Sequence, residues 1–224
     1  MRARWLLLAG AAAPILYTLV VIAGGLAWPG YSHVGNTISD LMALNAPNQA
    51  VIAVGLAVAC LLGAALGLAI IGRLGRHDGR FVTAGAAVTL IGVLGAAISF
   101  FPVDGLPGPR STGETIHLAL TGIVFIAIAV AVGMFAFAAR REAGFGRARR
   151  TPHRLGARRR AAFEALASFS FAMFGVVVAS GIATVYAEAY RFEAVGLVER
   201  LIVGAYLMWL LVVTTALLRR TDGR

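Results

Sequence analysis

The chain has 224 residues, of which 59% are hydrophobic and only 13% are charged, and its mean hydropathy is +0.84. Soluble domains are far more polar, so this composition indicates a protein whose solvent is lipid. The formal net charge is +10, and all 20 basic residues are arginine. Because lysine is absent, functions that require one are excluded, such as a retinal Schiff base or a phosphate-binding loop of the GK[ST] type.

Six apolar runs follow one another along the sequence, and each is long enough to cross about 30 Å of hydrocarbon as a helix. None contains a charged residue, so each is expected to insert without a large penalty. The sequence therefore predicts an all-α fold, a polytopic membrane protein whose six-helix transmembrane bundle forms a single domain over residues 1–224. The predicted spans are 5–27, 50–72, 81–101, 118–139, 165–186 and 201–218.

The first run has features of a cleaved signal peptide, because Arg2 and Arg4 precede it and small residues occur near its end. Its apolar stretch is longer than the hydrophobic region of a typical signal peptide. We therefore predict an uncleaved membrane anchor. Small residues four apart on the second and fifth spans predict close helix packing at Gly63 with Gly67 and at Gly175 with Ala179.

The arginines fall almost entirely on one side of the predicted spans. Seventeen of the 20 lie in the two ends of the chain and in the second and fourth connections, whereas the other connections hold only Arg110, Arg191 and Arg200. Short, positively charged loops are retained in the cytoplasm. The distribution therefore predicts a multi-pass protein of the cell membrane with both termini cytoplasmic, and it disfavours an odd number of spans.

The densest group of arginines lies in the predicted cytoplasmic loop 140–160, which contains one acid, Glu142. An anionic leaflet attracts each nearby arginine by about 1 kcal/mol, so contact with anionic lipid headgroups is expected. Nucleic-acid or partner-protein binding is the alternative. Nucleic acid is not expected, because the run lies between two spans and Phe145 is its only aromatic residue. The nine arginines are Arg140, Arg141, Arg147, Arg149, Arg150, Arg154, Arg158, Arg159 and Arg160.

The first external connection contains a short amphipathic segment. Its apolar residues Ile38, Leu41 and Met42 recur at helical spacing, whereas Ser39 and Asp40 fall on another face. This pattern predicts a short helix that lies in the membrane interface.

Ionisable side chains in the external connections all occur near the mouths of spans, at about the same depth. Short connections leave them little freedom to lie far apart, so we expect an outer-face polar cluster whose members are candidates for binding a ligand. The alternative is structural: an ion pair between Asp104 and His117, or between Asp40 and Arg200, would tie loops together, and a helix dipole would stabilise Glu199. The predicted cluster consists of Asp40, Asp104, His117, Glu199 and Arg200.

These features together resemble a known family. An Ile-Ser-Asp-Leu segment and Pro47 follow the first span, Phe-Pro-x-Asp ending at Asp104 follows the third, His117 opens the fourth, and Glu199 with Arg200 opens the sixth. Over almost its entire length the chain resembles the bacterial six-helix membrane family catalogued as domain of unknown function 998. It is more distantly similar to the damage-regulated autophagy modulator family. The resemblance implies a polar cluster at the outer surface but supplies no established activity and no catalytic residue.

Three functions remain open. The protein could bind or process a lipid headgroup at the outer cluster, or serve as a non-catalytic membrane scaffold or assembly subunit. A passive transporter is less favoured, as is a coupled one, because coupled carriers usually place ionisable groups near the midplane. Metal catalysis at His117 is not favoured, because no HExxH or CxxC spacing occurs, and Cys60 lies in an apolar run. The sequence specifies no cofactor and no oligomeric state.

Overall fold

The six apolar runs form six helices in the computed structural model, which describes residues 2–105, 109–148, 154–190 and 192–219. All six are long and apolar enough to cross a membrane. The predicted all-α, six-span class is therefore confirmed. The helices are α1 (Arg2–Leu26), α2 (Gln49–Leu74), α3 (Gly79–Ile98), α4 (Thr112–Ala148), α5 (Arg154–Ala189) and α6 (Val195–Arg219).

Two helices extend well beyond their predicted spans. α4 has 37 residues and α5 has 36, so much of the segment 140–160 is helical rather than an extended loop. Alanine and arginine, which are abundant there, are both strong helix formers and continue the helices past the apolar region. Arg149 and Arg150 lie outside the described residues.

Each helix packs against the next one in sequence, and α6 closes the ring against α1. The interior contains an aromatic core in which the ring of Phe135 lies 5.3 Å from those of both Phe81 and Trp209. The indole N–H of Trp209 donates to the hydroxyl of Ser170 at 3.0 Å. The polar edge of this core is therefore satisfied within the bundle.

The two ends of the bundle differ in chemistry. At one end, Arg73 donates to the carbonyl of Leu217 at 3.3 Å, and Arg141 forms an ion pair with Asp78 at 3.3 Å. The Arg80 amide and the guanidinium groups of Arg80 and Arg141 lower the pKa of the Asp78 carboxyl. We call this end the arginine end, and the opposite end, which holds residues 27–48, 99–105, 109–111 and 192–194, the loop end.

Glycines bring the backbones of α2 and α3 into direct contact. A Cβ added at Gly67 would lie 2.6 Å from the amide nitrogen of Thr89, and one at Gly85 would lie 2.6 Å from the carbonyl oxygen of Gly67. Such contact is the packing that small residues permit in membranes, so the prediction for Gly67 is confirmed. The prediction for Gly175 is wrong, because this residue is exposed and a Cβ there would meet nothing within 4 Å.

Candidate functional site

The first loop, residues 27–48, folds over the loop end of the bundle. Its centre is a 3-10 helix over Ser39–Met42, and the apolar residues Ile38, Leu41 and Met42 are buried. The short helix predicted from the sequence is therefore present. Its apolar face packs on the bundle rather than on the membrane interface, because the ends of the surrounding helices provide apolar surface for it to cover.

Asp40 is held within this loop. Its Oδ2 accepts the amide of Thr37 at 2.9 Å, and the Thr37 hydroxyl accepts the amide of Asp40 at 3.2 Å. This reciprocal pair has the hydrogen-bond pattern of a capping box and spans the beginning of the short helix. Asn36 also donates its side-chain amide to Asp40 Oδ2 at 3.3 Å.

Glu199 and Arg200 tie the start of α6 to the first loop. Glu199 Oε2 accepts the amide of Ile38 at 2.6 Å. Arg200 Nη1 donates to the carbonyl of Asn36 at 2.6 Å, and its Nη2 donates to the hydroxyl of Tyr31. Most of these partners are backbone atoms of the first loop. The side chains of Glu199 and Arg200 therefore fix the path of that loop over the start of α6.

The predicted pair of Asp40 with Arg200 does not form. Within the described part of the chain, Asn36 separates them, because its carbonyl accepts from Arg200 and its side chain donates to Asp40. Tyr31 completes the arrangement by donating its hydroxyl to the carbonyl of Thr37 at 2.7 Å. Burial raises the pKa of Tyr31 to about 12, although Arg200 acts in the opposite direction. The phenol therefore remains a proton donor at neutral pH.

Asp104 fastens the second loop to the start of α4. Its Oδ2 accepts the amide of Ser111 at 2.8 Å, and its own amide donates to Glu114 Oε2 at 3.3 Å. Hydrogen bonds from Ser111 hold the pKa of the Asp104 carboxyl below its usual range. Glu114 also forms an ion pair with Arg110 at 3.3 Å. Asp104 therefore has a local structural role.

His117 lies within α4 rather than at its mouth, because the helix begins five residues earlier at Thr112. The side chain is only 2% exposed, and its Nδ1 lies 2.6 Å from the carbonyl oxygen of Phe101. A carbonyl can only accept, so Nδ1 carries the proton and Nε2 is an acceptor in the neutral ring. The predicted pair with Asp104 does not form.

A cavity of about 120 Å³ lies inside the bundle beneath the first loop. An apolar cavity of about 150 Å³ holds one benzene-sized molecule, so this space fits a headgroup or part of an alkyl chain rather than a whole lipid. Most of its wall is apolar. Its polar lining groups are Tyr17, Ser39, Ser99, His117, Thr121, Glu199 and Tyr206.

The structure brings only part of the predicted cluster together. His117 and Glu199 line the cavity, whereas Arg200 lines a separate groove between α1 and α6. Asp40 and Asp104 are engaged in their loops and line neither space. A ligand-binding role for any of the five stays a prediction. Within the described residues, no group of three or more His, Cys, Asp or Glu side chains could hold a metal ion.

The sequence reasoning missed several polar members of the lining. Tyr17 and Tyr206 lie inside apolar spans, where Tyr17 is half-buried and Tyr206 is buried. Ser99 and Thr121 lie on different helical segments that meet only in the folded bundle. A hydroxyl inside a lipid-spanning run was the signal that could have identified the tyrosines, since buried phenols usually find a polar partner.

Comparison with known proteins places the chain in a family without supplying an activity. Neither a curated protein nor a solved structure matches it. The family described as protein of unknown function (DUF998) matches residues 11–216, which include part of every helix and all of the loop-end elements described above. The chain therefore belongs to the DUF998 family of multi-pass membrane proteins of unknown function, as its sequence resemblance predicted.

Proposed function

We propose that this protein binds the headgroup of a lipid-like amphiphile in the cavity at the loop end of the bundle. The observation that carries the proposal is that His117 and Glu199, from α4 and α6, line one mostly apolar cavity inside the bundle. Apolar pockets with a few convergent polar groups are the usual form of small-molecule sites. The polar part of the ligand would contact these two side chains, and its apolar part would lie between the helices.

The lining groups favour a particular headgroup chemistry. The Glu199 carboxylate and the Nε2 of a His117 ring protonated at Nδ1 are both hydrogen-bond acceptors, and the hydroxyls of Ser39, Ser99 and Thr121 also line the cavity. A negative carboxylate disfavours a phosphate at close range. The proposed ligand therefore carries hydroxyl or amine groups. A positively charged amine would gain an additional attraction to Glu199.

The hydroxyls of α5 give passive transport little support. Ser180 donates to the carbonyl of Val176 at 2.6 Å, and Thr184 donates to the carbonyl of Ser180 at 2.9 Å. Such bonds satisfy each hydroxyl within its own helix. Ser170 is engaged by Trp209. These groups are therefore not arranged as the lining of a polar path.

We further propose that the loop end faces the outside of the cell and the arginine end faces the cytoplasm. The support is the one-sided distribution of arginine and the retention of positive loops inside. At the arginine end, Arg158 on α5 is exposed, which suits contact between the ends of α4 and α5 and anionic lipid. The side chains of Arg147, Arg149, Arg150 and Arg154 lie outside the described residues.

Filling the cavity tests the ligand proposal. Ala59 lines the cavity and is 2% exposed, so Ala59→Leu places three additional carbons in the space of the ligand. Ala172→Leu makes the same change at an exposed position on α5 and is the matched control. Native mass spectrometry of the protein extracted with its lipids is expected to show one retained amphiphile per chain in the wild type and the control. Ala59→Leu is expected to reduce that retained fraction about tenfold, equivalent to about 1.4 kcal/mol.

The same measurement separates ligand chemistries. Glu199→Gln preserves the volume and an oxygen acceptor for the Ile38 amide but removes the charge. Retention of an amine-bearing ligand is expected to fall about tenfold, whereas that of a ligand with hydroxyls alone is expected to change little. Equal retention by the wild type, Ala59→Leu and Ala172→Leu would contradict a cavity ligand.

A further inference from the structure

A second recess lies on the outside of the bundle, in the seam where the first and last helices meet. Its volume is about 270 Å³, roughly twice that of the interior cavity. It runs down from the loop end between α1 and α6. Its floor is apolar, and its rim carries two side chains with nitrogen atoms, His33 and Arg200. The floor includes Val21, Ile22, Val203 and Leu207.

Among the described residues, the guanidinium of Arg200 has only neutral hydrogen-bond partners. It donates to the carbonyls of Asn36 and Gly196 and to the hydroxyl of Tyr31, and its Nε is buried without a partner. The ion pairs of the described residues do not include Arg200. A cation that borders an apolar groove and lacks a carboxylate partner attracts an anion much more strongly than an exposed one does.

Two of the described carboxylates near Arg200, those of Glu199 and Asp40, face other groups. Glu199 lines the interior cavity and binds the amide of Ile38, and Asp40 binds the amide of Thr37. Neither lines the groove. Among the described acidic and basic side chains, those that line the groove are therefore Arg200 and His33.

The dimensions of the groove suit an acyl chain. Arg200 and Leu207 are seven residues apart on α6, which corresponds to roughly 10 Å along the helix axis. Beyond the rim, the floor presents aliphatic side chains, which favour hydrocarbon over water. A charged rim that continues into an apolar trough matches the two halves of a phospholipid.

We infer that the α1–α6 groove binds a membrane phospholipid, with the phosphate at Arg200 and His33 and one acyl chain along the apolar floor. This site is separate from the cavity. The groove presents the Arg200 guanidinium and favours an anionic headgroup, whereas the cavity presents the Glu199 carboxylate and disfavours one. Tyr17, Ile38, Val203 and Leu207 line both spaces. The bound acyl chain would therefore pack against the wall of the cavity.

Gly204 provides a test that leaves Arg200 in place. It lines the groove, and a Cβ there would meet nothing within 4 Å, so Gly204→Leu fills the groove without a clash. Gly175→Leu is the matched control, because Gly175 is also exposed with nothing within 4 Å of a Cβ but lies on α5. Purified, delipidated protein would be titrated with phosphatidylglycerol, or with the phosphate-free diacylglycerol, and bound lipids counted by native mass spectrometry.

The wild type and Gly175→Leu are expected to bind one phosphatidylglycerol about tenfold more tightly than diacylglycerol, and Gly204→Leu is expected to lose about tenfold in affinity for phosphatidylglycerol. His33→Gln, which changes an exposed loop residue, is expected to weaken binding by about threefold and serves if Gly204→Leu fails to fold. Arg158→Gln at the arginine end is expected to leave the tight site intact. No preference for phosphate in the wild type, or unchanged tight binding in both Gly204→Leu and His33→Gln, would overturn the inference.

Discussion

Gly67→Ala is expected to destabilise the bundle by about 1–3 kcal/mol or to prevent folding, which is the range for overpacked interiors. The added Cβ would lie 2.6 Å from the amide nitrogen of Thr89. This neighbour is backbone, so the contact can be relieved only by moving α3 away from α2. Unfolding of the purified protein in mixed micelles, followed by circular dichroism, measures the effect.

Gly72→Ala is the matched control on the same helix. A Cβ at Gly72 would meet nothing within 4 Å, so this change is expected to be neutral or to stabilise the helix by up to about 1 kcal/mol. If the two substitutions have the same effect, the close approach of α2 and α3 through Gly67 is wrong.

The second large effect is expected from Arg200→Ala. This change removes three hydrogen bonds from a charged donor to Asn36, Gly196 and Tyr31, and it leaves partly buried acceptors without partners. The free energy of unfolding is expected to fall by about 2–4 kcal/mol. A hydrogen bond to a charged group contributes about 1.5–3 kcal/mol, and the contributions of neighbouring bonds are not additive. The first loop is also expected to become sensitive to protease.

Arg110→Ala serves as the control for Arg200→Ala. Arg110 pairs with Glu114, but its side chain is 64% exposed, so its removal is expected to cost less than about 1 kcal/mol. The two variants are compared by unfolding and by the rate of proteolysis within residues 27–48. If the two variants lose the same free energy of unfolding and the first loop is cleaved at the same rate in both, Arg200 does not hold the loop to α6.

The six spans could be predicted from the sequence because lipid imposes strong rules on them. A segment inside the bilayer must satisfy its backbone hydrogen bonds internally and must be apolar over about 20 residues. These rules do not fix where a helix ends in water. α4 therefore continues to Ala148, past the predicted boundary at residue 139, through a polar segment that contains the helix formers alanine, arginine and glutamate.

The partners of the polar residues could not be predicted in the same way. Glu199 binds the backbone amide of Ile38, which is 161 residues away in the sequence, and His117 binds the carbonyl of Phe101. Every residue has a backbone carbonyl and every residue except proline has a backbone N–H, so no sequence pattern marks the ones that are used. The predicted pairing of charged side chains with one another failed for this reason.

The residues that line the cavity could not be predicted from the sequence either, because both faces of a membrane helix are apolar. Ile126 is 68% exposed and Ile128 is 2% exposed on the same helix, yet the two are chemically identical. Hydrophobic periodicity therefore gives little information on how each helix is rotated. Only the packing of α3, α4 and α6 in the folded bundle brings Ser99, His117 and Glu199 to one space.

The central claim is that the chain crosses the membrane six times with the cavity end outside. Leu44 at the loop end is 66% exposed, and His77 at the arginine end is exposed. Cys60 is the only cysteine, so Leu44→Cys and His77→Cys in a Cys60→Ala background each carry one thiol. In intact cells, a membrane-impermeant thiol reagent is expected to label the Leu44→Cys variant, and the His77→Cys variant only after permeabilisation. Labelling of the His77→Cys variant in intact cells, with or without labelling of the Leu44→Cys variant, would contradict the claim.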